Sequence, residues 1–380
     1  MTNDLEYIKE VITRTLKVFN ITASFVKASQ GSYIAELDFS VKSEKEIDLF
    51  EQEKDRINDK AFGYAYIKDK KNKTISVVSF IANQPFYIKD ALNQNNLEAL
   101  QLIVGIDTNN NIVIKNLNNI LLVGAVSTGK TNFVLSSIEA LNRSINKDEI
   151  EYVISGGYGI EKEEILKQKI NYCYEALQER MKHNGKNTPM IFSFYYSMVL
   201  LLEKEEYINK VHEIIKKGSK YSIFSFVSTH GKLHLLPPKE ILNSFGMKIV
   251  FTVPHKEVSQ KVIGTDEAYY LFQKGICIFK DDTEQKSRIL LTPLSTSTDT
   301  SDFQSKNIKS FEDSFHSNLH NEKYIKAKEL LKEKEEITTN DLMRTLWLGY
   351  NDAEKIIHQL LEDDLLEYNT DNKNYIVKHK

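Results

Sequence analysis

Cysteine is scarce in this chain: Cys173 and Cys277 are the only two among 380 residues. Two thiols at that length do not make a disulfide framework, so the expected setting is a reducing cytoplasm. Both sit in apolar stretches and read as packing residues. Long apolar runs are missing as well. A membrane span needs about 18 uninterrupted apolar residues. The longest apolar patch, Met190 to Leu202, is shorter and is interrupted by Ser193 and Ser197. The opening residues, MTNDLEYIKEV, are amphipathic. They lack the basic start and apolar stretch of a leader, so neither leader nor anchor is expected. An excess of positive charge is also absent. A formal net charge of −3 excludes a uniformly basic coat, while leaving room for a DNA-binding pore or a single DNA-binding module. No internal repeat is visible.

What is present is the material of a soluble globular protein, 41% hydrophobic and 27% charged, in a chain long enough for two or three domains. Residues 1–92 read as a small α/β unit. Tyr7 to Phe19 carries apolar residues at helical spacing, and alternating segments at Thr22 to Lys27 and Ser32 to Phe39 flank a turn at Gln30-Gly31-Ser32. Ser43 to Asn58 reads as a charged helix, Lys54 to Lys73 as a solvated face, and Thr74 to Ile81 as a strand. From 93 to 293 the pattern changes to short apolar runs alternating with helix-like stretches. The runs are Ile112 to Lys115, Asn119 to Gly124, Ile150 to Ile154, Met190 to Phe194, Ser222 to Val227 and Lys248 to Val253. Buried strands alternating with helices predict an α/β domain with a largely parallel sheet and helices on both faces. The Ser/Thr/Asp-dense stretch 294–318 reads as a linker. Residues 319–380 predict three short helices and a hairpin, the make-up of a winged helix-turn-helix. Thr338 or Thr339 caps the second helix.

The chemistry concentrates at Gly124-Ala125-Val126-Ser127-Thr128-Gly129-Lys130-Thr131. The spacing G-x-x-x-x-G-K-T is met without gaps, after the apolar run Ile120 to Val123 and before a helix-like run from Asn132. That strand–loop–helix context gives the motif its meaning as a phosphate-binding loop. Backbone N–H groups wrap phosphates, and the positive end of the helix adds to them. In such a loop Gly129 permits close backbone approach, Lys130 reaches the β- and γ-phosphates of ATP, and the Thr131 hydroxyl ligates Mg²⁺.

With the loop in place, the order of parts resembles the soluble motor region of the FtsK/SpoIIIE family of DNA translocases, over nearly the whole chain from about Leu5. The N-terminal unit is similar to that family's α-domain, ending in Phe80-Ile-Ala-Asn83. The central unit resembles its RecA-like P-loop β-domain, with Leu102-Ile-Val-Gly-Ile-Asp107 like the "GxD" lead-in. The tail resembles its winged-helix γ-domain, Leu348-Gly-Tyr-Asn351 matching an "IGYN" turn. The resemblance implies ATP and Mg²⁺ as cofactors, double-stranded DNA as partner and a hexameric ring. The family's membrane anchor and long linker before the motor are not expected here.

The catalytic positions depart from the family. A P-loop motor needs a Mg²⁺-linked carboxylate at a strand end and a group that orients water. By the resemblance these are Asp-Glu, and Tyr196 and Ser197 fall in their place; neither is a charged ligand or a general base near neutral pH. Glu203 is the nearest downstream carboxylate, with Glu205 beyond it, and a shift of alignment would bring either into consideration. The γ-phosphate-sensing Gln is replaced by His230, and Gln260 stands at the trans-acting arginine. These losses predict a copy that binds nucleotide and hydrolyses it poorly or not at all.

In the tail, the resemblance makes Arg344, Asn351 and Lys355 the DNA-contacting residues, because major-groove readout needs such donors. Asp352 and Glu354 on the same helix would meet phosphates unfavourably. From His320 to Lys380 there are 10 Lys/Arg against 13 Asp/Glu, which weakens the electrostatic footprint of DNA binding. Trp347 at the turn is either core or, if exposed, a contact for a protein partner. His230 and His234 stand four apart, but no third ligand accompanies them, so no metal site is expected. Three functions remain: a ring-shaped DNA translocase, a nucleotide-binding relative that regulates a true motor without hydrolysis, and a DNA-binding regulator acting through its tail. The acidic recognition helix argues against the last.

Overall fold

A computed structural model describes residues 2–30, 33–60, 64–80, 85–146, 149–155, 163–183, 188–271, 273–284, 287–295, 324–332, 334–346, 350–369 and 374–378. The chain divides into two compact units, Met1–Ser305 and Lys306–Lys380.

The first unit begins with α1 (Thr2–Val18), whose Ile8, Ile12 and Leu16 recur at four-residue spacing and are buried. It packs with β1 (Ala23–Gln30), β2 (Ile34–Val41), α2 (Glu44–Lys60), β3 (Tyr64–Asp69) and β4 (Thr74–Phe80). The four strands form an antiparallel sheet in the order β1-β2-β4-β3. A capping box starts α2: the Ser43 N–H donates to Glu46 Oε2 at 3.0 Å, and the Glu46 N–H donates back to Ser43 Oγ at 3.3 Å. The run Lys54 to Lys73, read as a solvated face, is mostly exposed or half-buried among its described residues, with Ile57 and Ala65 turned into the core. Of the described side chains of β3 only Ala65 is fully buried, and its Lys68 bridges Glu36 and Asp38 on β2 at 3.0 Å each. The charges that hold this strand to its sheet hide its alternation. Gly31, Ser32 and residues 81–83 lie outside the described residues.

A second, nine-stranded sheet follows. Its elements in chain order are α3 (Ile88–Gln94), β5 (Gln101–Ile106), β6 (Ile112–Asn116), β7 (Ile120–Val123), α4 (Lys130–Ser144), β8 (Glu151–Ile154), α5 (Glu163–Lys182), β9 (Met190–Tyr195), α6 (Tyr196–Leu201), α7 (Glu205–Lys217), β10 (Ile223–Thr229), α8 (Lys239–Leu242), β11 (Met247–Val250), α9 (Lys256–Ile263), β12 (Ile276–Asp281) and β13 (Arg288–Leu291). The strand order is β6-β5-β13-β12-β11-β7-β10-β9-β8. From β11 to β8 all neighbours are parallel; from β11 to β6 they are antiparallel. β7, β10 and β11 are buried along their whole lengths, as both-face coverage requires. Chain direction says where the helices go. β7 crosses outward through α4 to the edge strand β8, and the later crossovers step back toward β7 and past it to β11. Right-handed crossovers therefore put α4 on one face and α5 and α7 on the other. α4 supplies Phe133, Val134, Ile138 and Leu141 to the core that Ile120 and Leu122 of β7 join, and α5 packs on α7.

Asn119 anchors the foot of β7. It is buried, its Nδ2 donates to the Ile215 carbonyl of α7 and its Oδ1 accepts the Ser225 N–H of β10, both at 2.8 Å. Beyond β13 the chain stays tied to α4: Asn132 Nδ2 donates to the Pro293 carbonyl at 2.8 Å, and the Ser295 N–H donates to Asn132 Oδ1 at 3.0 Å. The remainder of the expected linker, 296–318, lies outside the described residues.

The second unit contains α10 (residues 324–331), β14 (Glu336–Ile337), α11 (Thr339–Leu346), α12 (Tyr350–Glu362), β15 (Leu366–Asn369) and β16 (Asn374–Val377). The strands form an antiparallel sheet, β14-β16-β15. Thr338 is the cap of α11, accepting the Asp341 N–H at 3.2 Å while Asp341 accepts the Thr338 N–H at 2.9 Å. Ala353, Ile356, Ile357 and Leu360 of α12 point into the unit's core with Leu342, Leu346, Leu366 and Val377. The third strand, two residues long, was not legible. Among the described residues of the whole chain, no helix is long and apolar enough to cross a membrane.

Candidate nucleotide site

The loop between β7 and α4 is held from three sides. Its first two N–H groups are anchored on neighbouring strand ends: Gly124 donates to the Thr229 carbonyl at 3.3 Å and Ala125 to the Thr252 carbonyl at 2.8 Å. At its far side the Thr128 hydroxyl donates to the Ala125 carbonyl at 2.9 Å, and the Gly275 N–H donates to the Thr128 carbonyl at 3.0 Å. Glycine is required at position 124, where a Cβ would lie 2.7 Å from Thr128 Oγ1 and 2.8 Å from Phe251 Cβ. Gly129 adopts φ +124, a left-handed value that favours glycine, just before the helix begins. Among the described residues no protein acceptor meets the backbone N–H groups of residues 127–131. Val126 stands exposed at the tip.

Lys130 folds back over its own loop, donating to the Gly124 carbonyl at 2.7 Å and the Ala125 carbonyl at 2.6 Å. It is only 4% exposed, and burial pushes its ammonium from the ordinary 10.5 down to about 8. No carboxylate counters that push. Between these two values the unfolded chain holds more protons than the folded one, so this residue makes stability rise with pH there. The cost of burying the charge is fully present below pH 8 and gone above about 10.5. Lys130→Met is therefore expected to melt a few degrees above the unsubstituted protein below pH 8, with the gap closing toward pH 10.5. Melting curves across that pH range check this; a gap independent of pH contradicts it.

Thr131 follows, and its hydroxyl shares a 2.9 Å hydrogen bond with the hydroxyl of Tyr195, the last residue of β9. Tyr195 is paired with Ser228 in the ladder, next to Thr229, which is itself paired with Val123. The C-terminal ends of β7, β9 and β10 thus converge on the loop. The Tyr195 ring stacks on His230, centroids 5.2 Å apart and planes 21° apart. His230 comes directly after Thr229, whose carbonyl holds Gly124. Its Nδ1 is buried and has no hydrogen-bond partner among the described residues. Burial, then the charges of Lys130 and Lys232, hold its pKa below the usual imidazole value. Ser155, Ser193 and Ser228 share a crevice with Thr131 and Tyr195, so neutral hydroxyls line the strand ends around the loop.

Tyr196 and Ser197, expected at the acid-pair positions, both lie on α6. Tyr195, not Tyr196, meets the loop. Tyr196 opens α6 almost completely buried, shares a 2.7 Å hydrogen bond with His212 Nε2 and lies parallel to that ring. Burial pushes its phenol up to about 12. Ser197 lies in the first turn of α6, half-buried. Glu203 and Glu205 are exposed, at the end of α6 and the start of α7. Gln260 is exposed on α9, beside a groove that also takes in Lys239, Lys248, Lys261 and Lys280. Among the described residues no hydrogen bond joins it to the loop. Arg344 belongs to α11, and Asn351 and Lys355 to α12, with side chains outside the described residues, as are Trp347, Leu348 and Gly349. Tyr195 was the residue missed. The signal for it is its place as the last residue of β9, at the strand end beside the loop.

Strands β11, β7, β10, β9 and β8, with the phosphate loop leaving β7 near the middle and crossing to the edge, define a P-loop α/β domain of the RecA-like type. Solved structures similar to this chain include the pCW3 conjugation coupling protein TcpA in its monomer form with ATPγS, at 13% identity and TM-score 0.49, covering 76% of this chain and 95% of that one. The cytoplasmic domain of the Thermomonospora curvata type VII secretion ATPase EccC is similar at 14% identity and TM-score 0.46, over 56% of this chain and 32% of that one. The genome packaging NTPase B204 of Sulfolobus turreted icosahedral virus 2 is similar at 11% identity and TM-score 0.35, over 47% of this chain and 98% of that one. No protein-family model and no curated protein sequence matches the chain.

Proposed function

We propose that this chain is a nucleotide-binding P-loop protein that does not turn ATP over at the rate of a motor. Tyr195 carries the proposal: a phenol stands on the Thr131 hydroxyl where hydrolysis needs a carboxylate. Residues 124–131 supply the binding half. The N–H groups of 127–131 and the start of α4 receive phosphate oxygens, and Lys130 exchanges the carbonyls of Gly124 and Ala125 for the β- and γ-phosphates. The hydrolytic half is missing at each position that the FtsK/SpoIIIE resemblance would fill: Tyr196 and Ser197 at the acid pair, with Tyr195 before them at the strand end, His230 at the sensor, Gln260 at the arginine. Loss of a positioned general base costs about 10²–10⁴ in rate, and loss of an arginine finger about 10³–10⁵.

A working ring motor on double-stranded DNA is the second reading. The strand order around the loop and the C-terminal unit, a winged-helix candidate, favour it, because both match the order of parts in that family; a hexamer and DNA contacts through Arg344, Asn351 and Lys355 belong to it. A third, more modest role for the acidic tail is contact with a protein partner. Steady-state phosphate release with and without double-stranded DNA separates the first two. Release near background under both conditions is the expected result, and release that DNA stimulates and Lys130→Ala abolishes would establish the motor instead.

A further inference from the structure

The FtsK/SpoIIIE resemblance implies Mg²⁺ at Thr131, and the side chains present do not fit it. Mg²⁺ demands a near-octahedral shell of hard oxygen donors, keeps several of its waters, and is tethered by one or two carboxylates besides the phosphates. In a P-loop site those tethers are the loop's Ser/Thr hydroxyl and an acidic residue at a strand end. Here the Thr131 hydroxyl is already engaged, 2.9 Å from Tyr195 OH. The Tyr195 ring is fixed by its stack on His230. The crevice that Thr131 enters is lined by Ser155, Ser193, Tyr195 and Ser228, with Val134, Ile154 and Phe194, and no carboxylate. Among the described residues no group of three or more His, Cys, Asp or Glu side chains is placed to hold a metal ion. The donors that remain are all suited to the anion itself: unpartnered N–H groups at 127–131, the Lys130 ammonium, and His230, whose buried Nδ1 lacks a partner among the described residues.

We propose that this loop takes a nucleoside triphosphate without a divalent cation, the phosphates being met by the backbone N–H groups, Lys130 and His230, while Tyr195 fills the place beside Thr131 where a hydrated Mg²⁺ would be held. The inference rests on the nucleotide-binding reading above and adds to it the ionic form of the ligand. It also accounts for the pairing of changes at β9 and β10. A tyrosine in place of the carboxylate removes the tether for the cation, and an imidazole beside the loop's first residue adds a polar contact for the anion.

The test is equilibrium binding of ATP by the full chain, in Mg²⁺ and again in excess EDTA. The expected affinities agree within about threefold. A loss of tenfold or more in EDTA overturns the inference while leaving nucleotide binding intact. Binding in neither buffer, or binding that Lys130→Ala leaves unchanged, overturns the nucleotide reading and takes this inference with it. Tyr195→Asp provides the converse. Restoring a carboxylate at the strand end is expected to make ATP binding at least about tenfold tighter in Mg²⁺ than in EDTA. A folded Tyr195→Asp protein that binds equally in both buffers overturns the assignment of Tyr195. The EDTA comparison on the unsubstituted protein stands by itself where that variant does not fold.

Discussion

Lys130→Ala is expected to weaken ATP binding by about a hundredfold or more. A hydrogen bond from a charged donor contributes about 1.5–3 kcal/mol, and every 1.4 kcal/mol is about a factor of ten. Lys130 offers such bonds from a desolvated position, and no other cationic side chain is given a bond to the loop among the described residues. The substitution should leave the fold in place. Alanine suits the first turn of α4, and it removes a buried ammonium whose pKa has been forced down to about 8. Of the two carbonyls that Lys130 now engages, that of Ala125 adjoins the exposed tip at Val126 and also accepts the Thr128 hydroxyl. Titration of ATP against both proteins, with a melting curve for each, reads binding and folding separately. Affinities within threefold of each other would mean that ATP does not use this loop.

Asn119→Ala is expected to cost about 2–4 kcal/mol of stability and lower the melting temperature by roughly 5–10 °C. One amide joins three elements here: β7 at its foot, α7 through the Ile215 carbonyl and β10 through the Ser225 N–H. Truncation leaves a buried donor and a buried acceptor without partners, each worth about 1–3 kcal/mol. It also loosens β7 against β10, the two strands whose upper ends carry Gly124 and Thr229. Asn119→Asp does not rescue, because a carboxylate can accept from Ser225 but cannot donate to Ile215. Denaturant titration checks the magnitude; a change below about 0.5 kcal/mol would mean that water replaces the lost partners.

The loop was legible because its chemistry is local. Eight consecutive residues, an apolar run before and a helical run after state the strand–loop–helix unit without any long-range contact. The buried strands β7, β9, β10 and β11 were legible for a related reason: strands covered on both faces are apolar at most positions, interrupted here only by Ser193, Ser225, Ser228, Thr229 and Lys248. What escaped was set by pairing across distance. The join of β13 to β5, Leu291 opposite Ile106, leaves no mark in periodicity, so the antiparallel half of the sheet was not resolved as such. β3 was obscured by Lys68, whose partners Glu36 and Asp38 lie on another strand. Which residue at the end of β9 meets the loop is set across distance as well. With the Asp-Glu signature gone, Tyr195 and Tyr196 are equivalent on paper. Only the fold shows that one reaches Thr131, 64 positions earlier, and that the other turns inward to His212.

Single-turnover hydrolysis tests the central claim most directly: γ-labelled ATP held by excess protein, sampled over hours, with Lys130→Ala as the binding control. The account predicts that the label is retained by the protein and recovered as intact ATP, while Lys130→Ala retains none. Conversion of the bound ATP to ADP and phosphate within seconds, at a rate that Lys130→Ala abolishes, would contradict it.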